Sequence, residues 1–251
     1  MYPWQTRRLN AYEAVTQLGL TPALVLDPGD VVSYTGSGTS WVDLSGNSRT
    51  FTVSGATFTG AAGGLTGGEY WALDGNDYAS FTNDTFMNGL HKDAATWSII
   101  AAVYVPNLAG VAGVFSTCSS GATTIGAAFE LTSTEQIRYR VGNGSSLAAI
   151  HTSTAAATAS AWNVVGLSIS ENGGASGSFS YVNGTAATFN ANITSPSSSN
   201  ASTAATFGAL NAGGSSVLPN GSRLGPAFMF ASAITTTQAD ALRSYLVARY
   251  P

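Results

Sequence analysis

Two glutamates come nearest to a catalytic carboxylate pair in this sequence. Glycoside hydrolysis needs two carboxyl groups that flank the scissile bond. Glu130 and Glu135 are five residues apart, which places them on opposite faces of one strand or in separate elements. The two histidines, His91 and His151, stand far apart and lack a nucleophile at catalytic spacing, so both are predicted to lie at the surface. These residues predict a protein that is not an enzyme.

Two arginines could bind carboxylates. The segment Gln136–Val141 alternates apolar and polar residues, which places Arg138 and Arg140 together on the outer face of one strand. Two interpretations stay open. The pair could lie on a solvated face, or it could form a site for an acidic glycan or for carboxylates of a neighbouring subunit.

Three aspartates lie in two turn-rich motifs, Trp41-Val-Asp-Leu-Ser-Gly-Asn47 and Leu73-Asp-Gly-Asn-Asp-Tyr78. Each motif places Asp, Gly and Asn between apolar or aromatic anchors, which is typical of tight turns between strands. The side chains of Asp43 and Asp74 are therefore expected to bond backbone N–H groups in their own turns.

The composition of the chain bounds what it can bind. Only 9% of its 251 residues are charged, against about 25% in typical proteins, and Gly, Ala, Ser and Thr replace them. The net charge is −4 and Lys92 is the only lysine, so neither a nucleic-acid partner nor a basic phosphate-binding run is expected. The sequence shows no secretory signal and no apolar stretch of membrane-spanning length, so membrane insertion is not expected. The single cysteine, Cys118, is predicted to be a buried strand thiol.

Short apolar segments separated by Gly, Asn and Ser predict an all-β chain. Trp97–Val105 is apolar on both faces, as a central strand of a two-sheet core should be, and Asn183-Gly184 predicts a type I′ hairpin. The polar segment 191–204 is predicted to be an exposed tip. Helical spacing predicts a helix over residues 4–18 and another over Thr235–Arg249, where Thr237 to Asp240 resembles a capping box.

Taken in order, these elements resemble the laminin-G-like, or concanavalin A-like, jelly-roll family. The series runs from the two turn motifs through the strand at Trp97 to the Tyr181–Gly184 hairpin, the Gly208 to Phe230 segment and the closing helix. The resemblance implies a two-sheet antiparallel jelly-roll sandwich with a short N-terminal helix and a C-terminal helix. It implies a laminin-G-like domain over residues 23–251, preceded by an N-terminal helical extension or anchor over residues 1–22.

The resemblance also implies candidate binding residues. Many relatives carry calcium at the sandwich rim, so a calcium site would draw on Asp43, Asp74 and Asp77; otherwise no cofactor is expected. Candidate ligand or partner contacts are Trp4, Trp71 and Tyr78, together with the two arginines of the 136–141 strand, Arg138 and Arg140. A lectin groove could add Trp41 and Tyr70, although a buried core is the commoner place for such rings.

The chain is similar to tailed-bacteriophage virion proteins of the minor tail or capsid-decoration type. That similarity implies a sandwich displayed on a particle that is assembled in the host cytoplasm, for host-surface glycan contact or particle reinforcement. The expected partners are other virion proteins, a second copy of the chain in a homo-oligomer, and a cell-surface glycan. The alternative is a free carbohydrate-binding lectin module.

Overall fold

The computed structural model describes residues 9–119 and 123–251. Within these residues the regular secondary structure is mostly β-strand, and turns and loops connect the strands. The strands are β1 (Leu24–Leu26), β2 (Ser40–Val42), β3 (Thr50–Ser54), β4 (Thr57–Thr59), β5 (Tyr70–Ala72), β6 (Tyr78–Phe81), β7 (Thr96–Val105), β8 (Ala112–Ser116), β9 (Ile125–Leu131), β10 (Gln136–Asn143), β11 (Leu147–Ala156), β12 (Ala161–Ser170), β13 (Ser178–Val182), β14 (Thr185–Phe189), β15 (Ala205–Phe207) and β16 (Arg223–Phe230). The helices are α1 (Ala11–Gln17), α2 (Thr85–Gly89) and α3 (Thr236–Arg249).

The strands form two antiparallel sheets that pack as a sandwich, which confirms the predicted fold class. Sheet A has the order β14-β13-β12-β7-β16-β5-β4, and β1 pairs with the far end of β16. Sheet B has the order β11-β10-β9-β8-β15-β6-β3-β2. Neighbours in space are often distant in sequence, so the sheets depend on long-range pairing rather than on hairpins alone.

The core lies between the two sheets and is built from alternate residues of each strand. Trp97 and Ile99 of β7 point inward from sheet A, and Phe129 and Tyr139 point inward from sheet B. The rings of Trp97 and Tyr139 meet across the core with centroids 6.2 Å apart. The period of two along each strand therefore decides which residues are buried between the sheets.

The outer face of sheet A is also apolar, and α1 and α3 cover it. Val25, Ile100 and Phe228 point outward and pack with Leu242 and Leu246 of α3 in a second buried cluster. This explains why β7 is apolar on both faces. The predicted closing helix is confirmed, but its capping box is formed by Thr235 and Gln238 rather than by Thr237 and Asp240.

The N-terminal helix is shorter than its sequence spacing predicts in the part that the structure describes. It begins at Ala11, because Asn10 and Glu13 form a capping box one residue earlier. The predicted contact Trp4 lies outside the described residues. Ala14 and Val15 are buried in the cluster that lies on the outer face of sheet A. The division of the chain at residue 22 stays a prediction.

Two local features follow from residue chemistry. Asn183 and Gly184 have φ values of 50° and 98°, which confirms the predicted type I′ turn between β13 and β14. Pro226 lies within β16, next to the central strand β7. The register shifts there between Leu224 and Ala227, and this irregularity accommodates a residue that has no N–H to donate.

Segment 191–204 is a loop whose residues are mostly exposed or partly exposed, as predicted, but its first residues are anchored. Ala191 and Ile193 are buried, and Thr194 N donates to Ala148 O at 2.8 Å. Strand β11 is not among the strands that the sequence predicts. Among the described residues, no helix has the length and apolar character needed to cross a membrane.

Candidate functional site

Three aromatic side chains and one arginine form a surface patch on the outer face of sheet A, beyond the area that α3 covers. We call Tyr70, Tyr104, Trp162 and Arg223 the aromatic patch. Trp162 of β12 and Arg223 of β16 both pair with Tyr104 of β7 in the strand register, on either side of it. Residues opposite each other in antiparallel strands share a face, so these three side chains form one row.

The guanidinium of Arg223 lies over two tyrosine rings. Its Cζ atom is 4.4 Å from the ring centroid of Tyr104 and 4.8 Å from that of Tyr70. The Trp162 ring meets both tyrosines edge to face, at centroid distances of 6.1 Å and 5.9 Å. All four side chains are partly buried, so each keeps some surface open to solvent.

Four arginines form ion pairs with carboxylates, namely Arg49, Arg138, Arg140 and Arg249. Arg223 has no carboxylate partner among residues 9–119 and 123–251. Cation–π contacts stabilise its charge, but they do not use its N–H groups. A guanidinium carries five N–H donors in its own plane and matches the two oxygens of a carboxylate. Arg223 is therefore positioned to bind an acidic group from outside the chain.

The C-terminal residues give the patch a rigid base. The ring of Tyr250 packs on Trp162 with centroids 4.4 Å apart, and its hydroxyl donates to Glu69 O at 2.6 Å. Burial raises the pKa of the Tyr250 hydroxyl, so the group stays protonated and remains a donor. A Cβ atom at Gly225 would lie 3.2 Å from Tyr250 Cζ, so a glycine lets this ring lie close to β16.

Beside Tyr250, a buried ion pair holds the end of α3. Arg249 donates from Nη1 and Nη2 to the two carboxylate oxygens of Asp27, at 2.6 Å and 2.8 Å. The same carboxylate accepts from Ala11 N at 3.1 Å, which ties α1 to the same site. Arg249 and Asp27 neutralise each other inside the chain, so neither charge is available to a ligand. The pair instead holds the end of α3, and with it Tyr250, against the aromatic patch.

A second concave surface is a cleft of about 290 Å³ at one end of the sandwich, between the α2 region and segment 200–204. Two of its three amide side chains already bond to the chain itself. Asn83 donates to Thr203 O at 2.7 Å and accepts from Ala205 N at 2.6 Å, while Asn88 accepts from Ala201 N at 3.0 Å. These amides fix the segment in place, and they leave fewer groups for a ligand than the aromatic patch does.

The structure does not bring the three predicted calcium ligands together. Asp43 is buried and accepts from Val25 N at 2.9 Å and from Ser45 N at 2.8 Å. The Asp77 carboxylate is also buried and accepts from Asp74 N at 2.7 Å, and burial raises its pKa. Asp74 is exposed. The described residues contain no group of three or more His, Cys, Asp or Glu side chains placed to hold a metal ion.

Arg138 and Arg140 share the outer face of β10 as predicted, but that face is not an open, solvated one. Both bind the fully buried carboxylate of Glu130 on β9, and their side chains are only 22% and 9% exposed. This acid lies across from Arg138 in the strand register. The carboxylate that the sequence assigned to a glycan or a neighbouring subunit is thus present in the same chain.

The other predicted contacts divide between the core and the surface. Trp71 and Trp41 are buried between the sheets, with ring centroids 5.9 Å apart. The predicted contact at Trp71 is therefore wrong, and Trp41 lies in the buried core, the commoner of its two alternatives. Tyr78 is partly buried on β6, while Tyr70 belongs to the aromatic patch. Cys118 is buried as predicted, in a small cluster with Ala128 and Leu210.

The predicted surface positions of the histidines are also wrong. His91 is fully buried, and its Nε2 lies 3.0 Å from Ser199 O. His151 is partly buried and stacks on Phe189 of the opposite sheet, with ring centroids 3.9 Å apart.

Comparison with solved structures places the fold among known sandwiches. A Trypanosoma rangeli sialidase in complex with sialic acid matches 89% of this chain with a TM-score of 0.60 and 13% identity. Botulinum neurotoxin type C, in a structure concerned with its dependence on two ganglioside molecules for cell entry, matches 94% with a TM-score of 0.62 and 12% identity. The shared feature is the fold. No family model and no curated protein sequence matches the chain.

The matched structures are longer than this chain, which spans 32% of the sialidase chain and 53% of the toxin chain. Three of the matched structures are sialidases, which are 11–13% identical to this chain. Enzymes are thus among the proteins that contain this fold. The prediction that the chain is not an enzyme is wrong as an exclusion. Likeness at this level of identity carries the fold alone and assigns no activity.

Sequence reasoning missed three of the four residues of the aromatic patch. Tyr104 is the last residue but one of β7, Trp162 is the second residue of β12, and Arg223 is the first residue of β16. The available signal was position: an aromatic residue at the end of a core strand, out of phase with its inward residues, points to the outer face. Nothing in the sequence showed that these strand ends are neighbours, because their pairing is long-range.

Proposed function

We propose that this chain is a carbohydrate-binding β-sandwich module and that the aromatic patch binds an acidic sugar. The observation that carries the proposal is an arginine that stacks on two partly exposed tyrosines and has no carboxylate partner among the described residues. Aromatic faces pack against the apolar C–H faces of sugar rings, and the guanidinium binds a sugar carboxylate through two hydrogen bonds.

Two further observations support this choice of surface. The patch lies on strands β5, β7, β12 and β16 rather than on loops, which fixes its geometry before a ligand binds. The matched solved structures include a toxin binding domain in complex with SialylT, at 12% identity. That ligand belongs to the toxin, and for this chain the likeness adds only that the fold is compatible with sugar binding.

The test is a glycan-array binding assay with matched variants. Arg223→Gln removes the charge, and Arg243→Gln is the control, because Arg243 lies beside Gly184 and outside the patch. A hydrogen bond to a charged group contributes about 1.5–3 kcal/mol, so Arg223→Gln should weaken binding to carboxylated glycans about 10- to 100-fold. Trp162→Ala should weaken binding to acidic and neutral sugars alike.

Three outcomes would contradict the proposal. They are an absence of binding to any glycan on a broad array, equal binding by Arg223→Gln and the parent chain, and a loss of binding in the Arg243→Gln control. Thermal unfolding of each variant should accompany the assay, because a lower affinity counts only where the sandwich remains folded.

We further propose that the module is displayed on the virion of a tailed bacteriophage, as a minor tail or capsid-decoration protein. The composition supports this setting, with 9% charged residues and a surface dominated by small and hydroxyl side chains. The test deletes residues 1–8 and leaves α1, which packs on sheet A, in place. Loss of particle incorporation by the folded deletion variant would support an N-terminal anchor to other virion proteins, and full incorporation would contradict it.

Calcium dependence stays a prediction. Repeating the array in chelator separates the two possibilities, because a patch built on Arg223 should bind equally well with and without calcium. Binding that is lost in chelator and restored by calcium would instead make Asp43, Asp74 or Asp77 ligands.

A further inference from the structure

Strand β11 forms an open edge of sheet B that is much longer than the other sheet edges. It pairs with β10 on one side and spans the ten residues Leu147–Ala156. Edge strand β2 of the same sheet has three residues, and edge strands β4 and β14 of sheet A have three and five. An edge strand presents unpaired N–H and C=O groups, and proteins usually keep such edges short or block them.

Strand β11 carries none of the side chains that usually block an edge, although its register with β10 shifts at two places. The sequence from Leu147 to Ala156 contains no proline and no Lys, Arg, Asp or Glu. Ile150 is 57% exposed and Leu147 is 42% exposed, which is unusual for large apolar side chains on one strand. Outside the ladder with β10, the one backbone hydrogen bond to β11 from the described residues runs from Thr194 N to Ala148 O.

We propose that β11 pairs with β11 of a second copy of this chain, antiparallel and across a twofold axis. The two copies would then share one continuous sheet. Each copy would satisfy the open backbone groups of the other with the same groups of its own, and Ile150 would move out of solvent.

The lengths of the edge strands favour β11 of the second copy as the partner over the other edge strands of that copy. If β11 paired with the three-residue β2 or β4, or with the five-residue β14, half or more of its open groups would stay unpaired. A head-to-tail contact of that kind would also leave one edge free on each copy and propagate into a filament. Pairing of β11 with β11 is matched in length and closes as a dimer.

The charges on the strand also favour self-pairing. Like charges directly opposite each other destabilise a strand pair, and an antiparallel pair of identical strands brings equal residues close together. Because β11 has no fully charged residue, two copies can approach without this penalty. Thr152 and Thr154 are exposed and can pack opposite each other or opposite Ile150 on the outer face.

The experiment measures the mass of the full chain in solution by sedimentation across a micromolar concentration series. A dimer at twice the chain mass of 25.5 kDa is expected. Ile150→Lys places two like charges beside the axis and should raise the dimer dissociation constant about tenfold or more. Val32→Lys is the control, because Val32 is 68% exposed and lies outside the strands, so its dimer should be unchanged.

A second experiment detects the dimer by cross-linking, because the loss of a dimer in Ile150→Lys could also come from a variant that fails to fold. Single cysteines at Ile150, Thr152 and Thr154 sample the outer face of β11, and at least one should give a disulfide-linked dimer on oxidation. Cys118 is buried, so the parent chain should not cross-link. The proposal is overturned if the full chain stays monomeric across the series, or if Ile150→Lys keeps the dimer and none of the three cysteines links it.

Discussion

The two outer faces of this sandwich are built from the same kind of strand but carry opposite chemistry. The outer face of sheet A presents apolar residues such as Val25, Ile100 and Phe228, which α1 and α3 cover. The outer face of sheet B presents a row of hydroxyl groups. The row consists of Ser40, Thr52, Ser80, Thr206 and Ser116, each opposite the next in the strand register.

The residues that point outward from each sheet determine whether that face must be covered by other elements. An apolar outward face must be buried, so sheet A recruits the two terminal helices and a network of buried polar bonds that holds them. A hydroxyl-bearing face can meet water directly, and Ser40 and Thr52 at one end of the row are exposed. Thr206 and Ser116 at the other end are buried, and each hydroxyl donates to a backbone carbonyl. The inward residues of both sheets are similar, so they do not distinguish the two faces.

The arginines sharpen the comparison. Arg249 at the end of α3 is buried against Asp27, and Arg140 on sheet B is buried against Glu130. Arg223 lies where the helical cover of sheet A stops, and it stacks on aromatic rings instead. The arginines that pair with buried carboxylates are thus separated from Arg223, which has no carboxylate partner among the described residues.

The largest expected effect comes from removing the charge that anchors the helical cover. Asp27→Asn keeps the size of the side chain but leaves Arg249 buried without its bidentate partner. Glu69 is the other nearby carboxylate, 4.0 Å from Arg249 Nη2. Breaking a buried ion pair by removing one partner costs about 3–5 kcal/mol, and we expect a loss in this range in urea unfolding.

Arg223→Gln is the matched control for that measurement. It too removes one charge, but it leaves no opposite charge unpaired among the described residues. Its unfolding free energy should change by less than about 1 kcal/mol. Equal losses for the two variants would contradict the division between structural and available arginines.

A smaller effect is expected on sheet B. Glu130→Gln leaves Arg138 and Arg140 without a counter-charge, but the Arg138 side chain is 22% exposed and can turn toward water. Hydrogen bonds to charged groups contribute about 1.5–3 kcal/mol, so we expect a loss of about 2–3 kcal/mol. Denaturant unfolding measures it, with Glu135→Gln as the matched control. If Glu130→Gln lost as much stability as Asp27→Asn, the ion pair held by the helical cover of sheet A would be worth no more than the ion pairs on sheet B.

The fold was largely predictable from the sequence, because inward residues alternate clearly in the central strands. Trp97–Val105 and the Asn183-Gly184 turn fall where the sequence placed them. Strand β11 was missed because Ala, Ser and Thr fill it and leave almost no apolar alternation. Its neighbour β10 has the alternation of apolar and polar residues that β11 lacks.

The candidate site was mostly unpredictable, and the reason is its dependence on long-range pairing. Tyr70, Tyr104, Trp162 and Arg223 come from four strands that are far apart in the chain. Motifs within one segment pointed to Asp43 and Asp74, whose carboxylates bond backbone N–H groups in their own turns. Local patterns therefore identified residues that build turns, while the patch depends on the order of strands in sheet A.

The smallest expected effect is a pH dependence of the unfolding free energy, which arises where edge strand β11 of sheet B contacts edge strand β14 of sheet A. His151 of β11 stacks on Phe189 of β14, and burial lowers the pKa of this imidazole below its ordinary value of 6.5. Burial likewise lowers the pKa of His91. A histidine with a lowered pKa binds protons more readily in the unfolded chain. Stability is therefore full above pH 6.5 and declines as the pH falls below it, through the pKa of the folded protein.

The variant His151→Phe isolates the contribution of the edge, because it keeps an aromatic ring on Phe189 and removes the titrating group. The slope of unfolding free energy against pH, measured below pH 6.5 in urea, should become shallower, with the remainder due to His91. The parent chain should lose less stability on acidification to pH 5 than Asp27→Asn loses at neutral pH. An unchanged slope would mean that the stacked ring titrates as it does in the unfolded chain. The contact between the two sheets at this edge would then be looser than the 3.9 Å ring separation indicates.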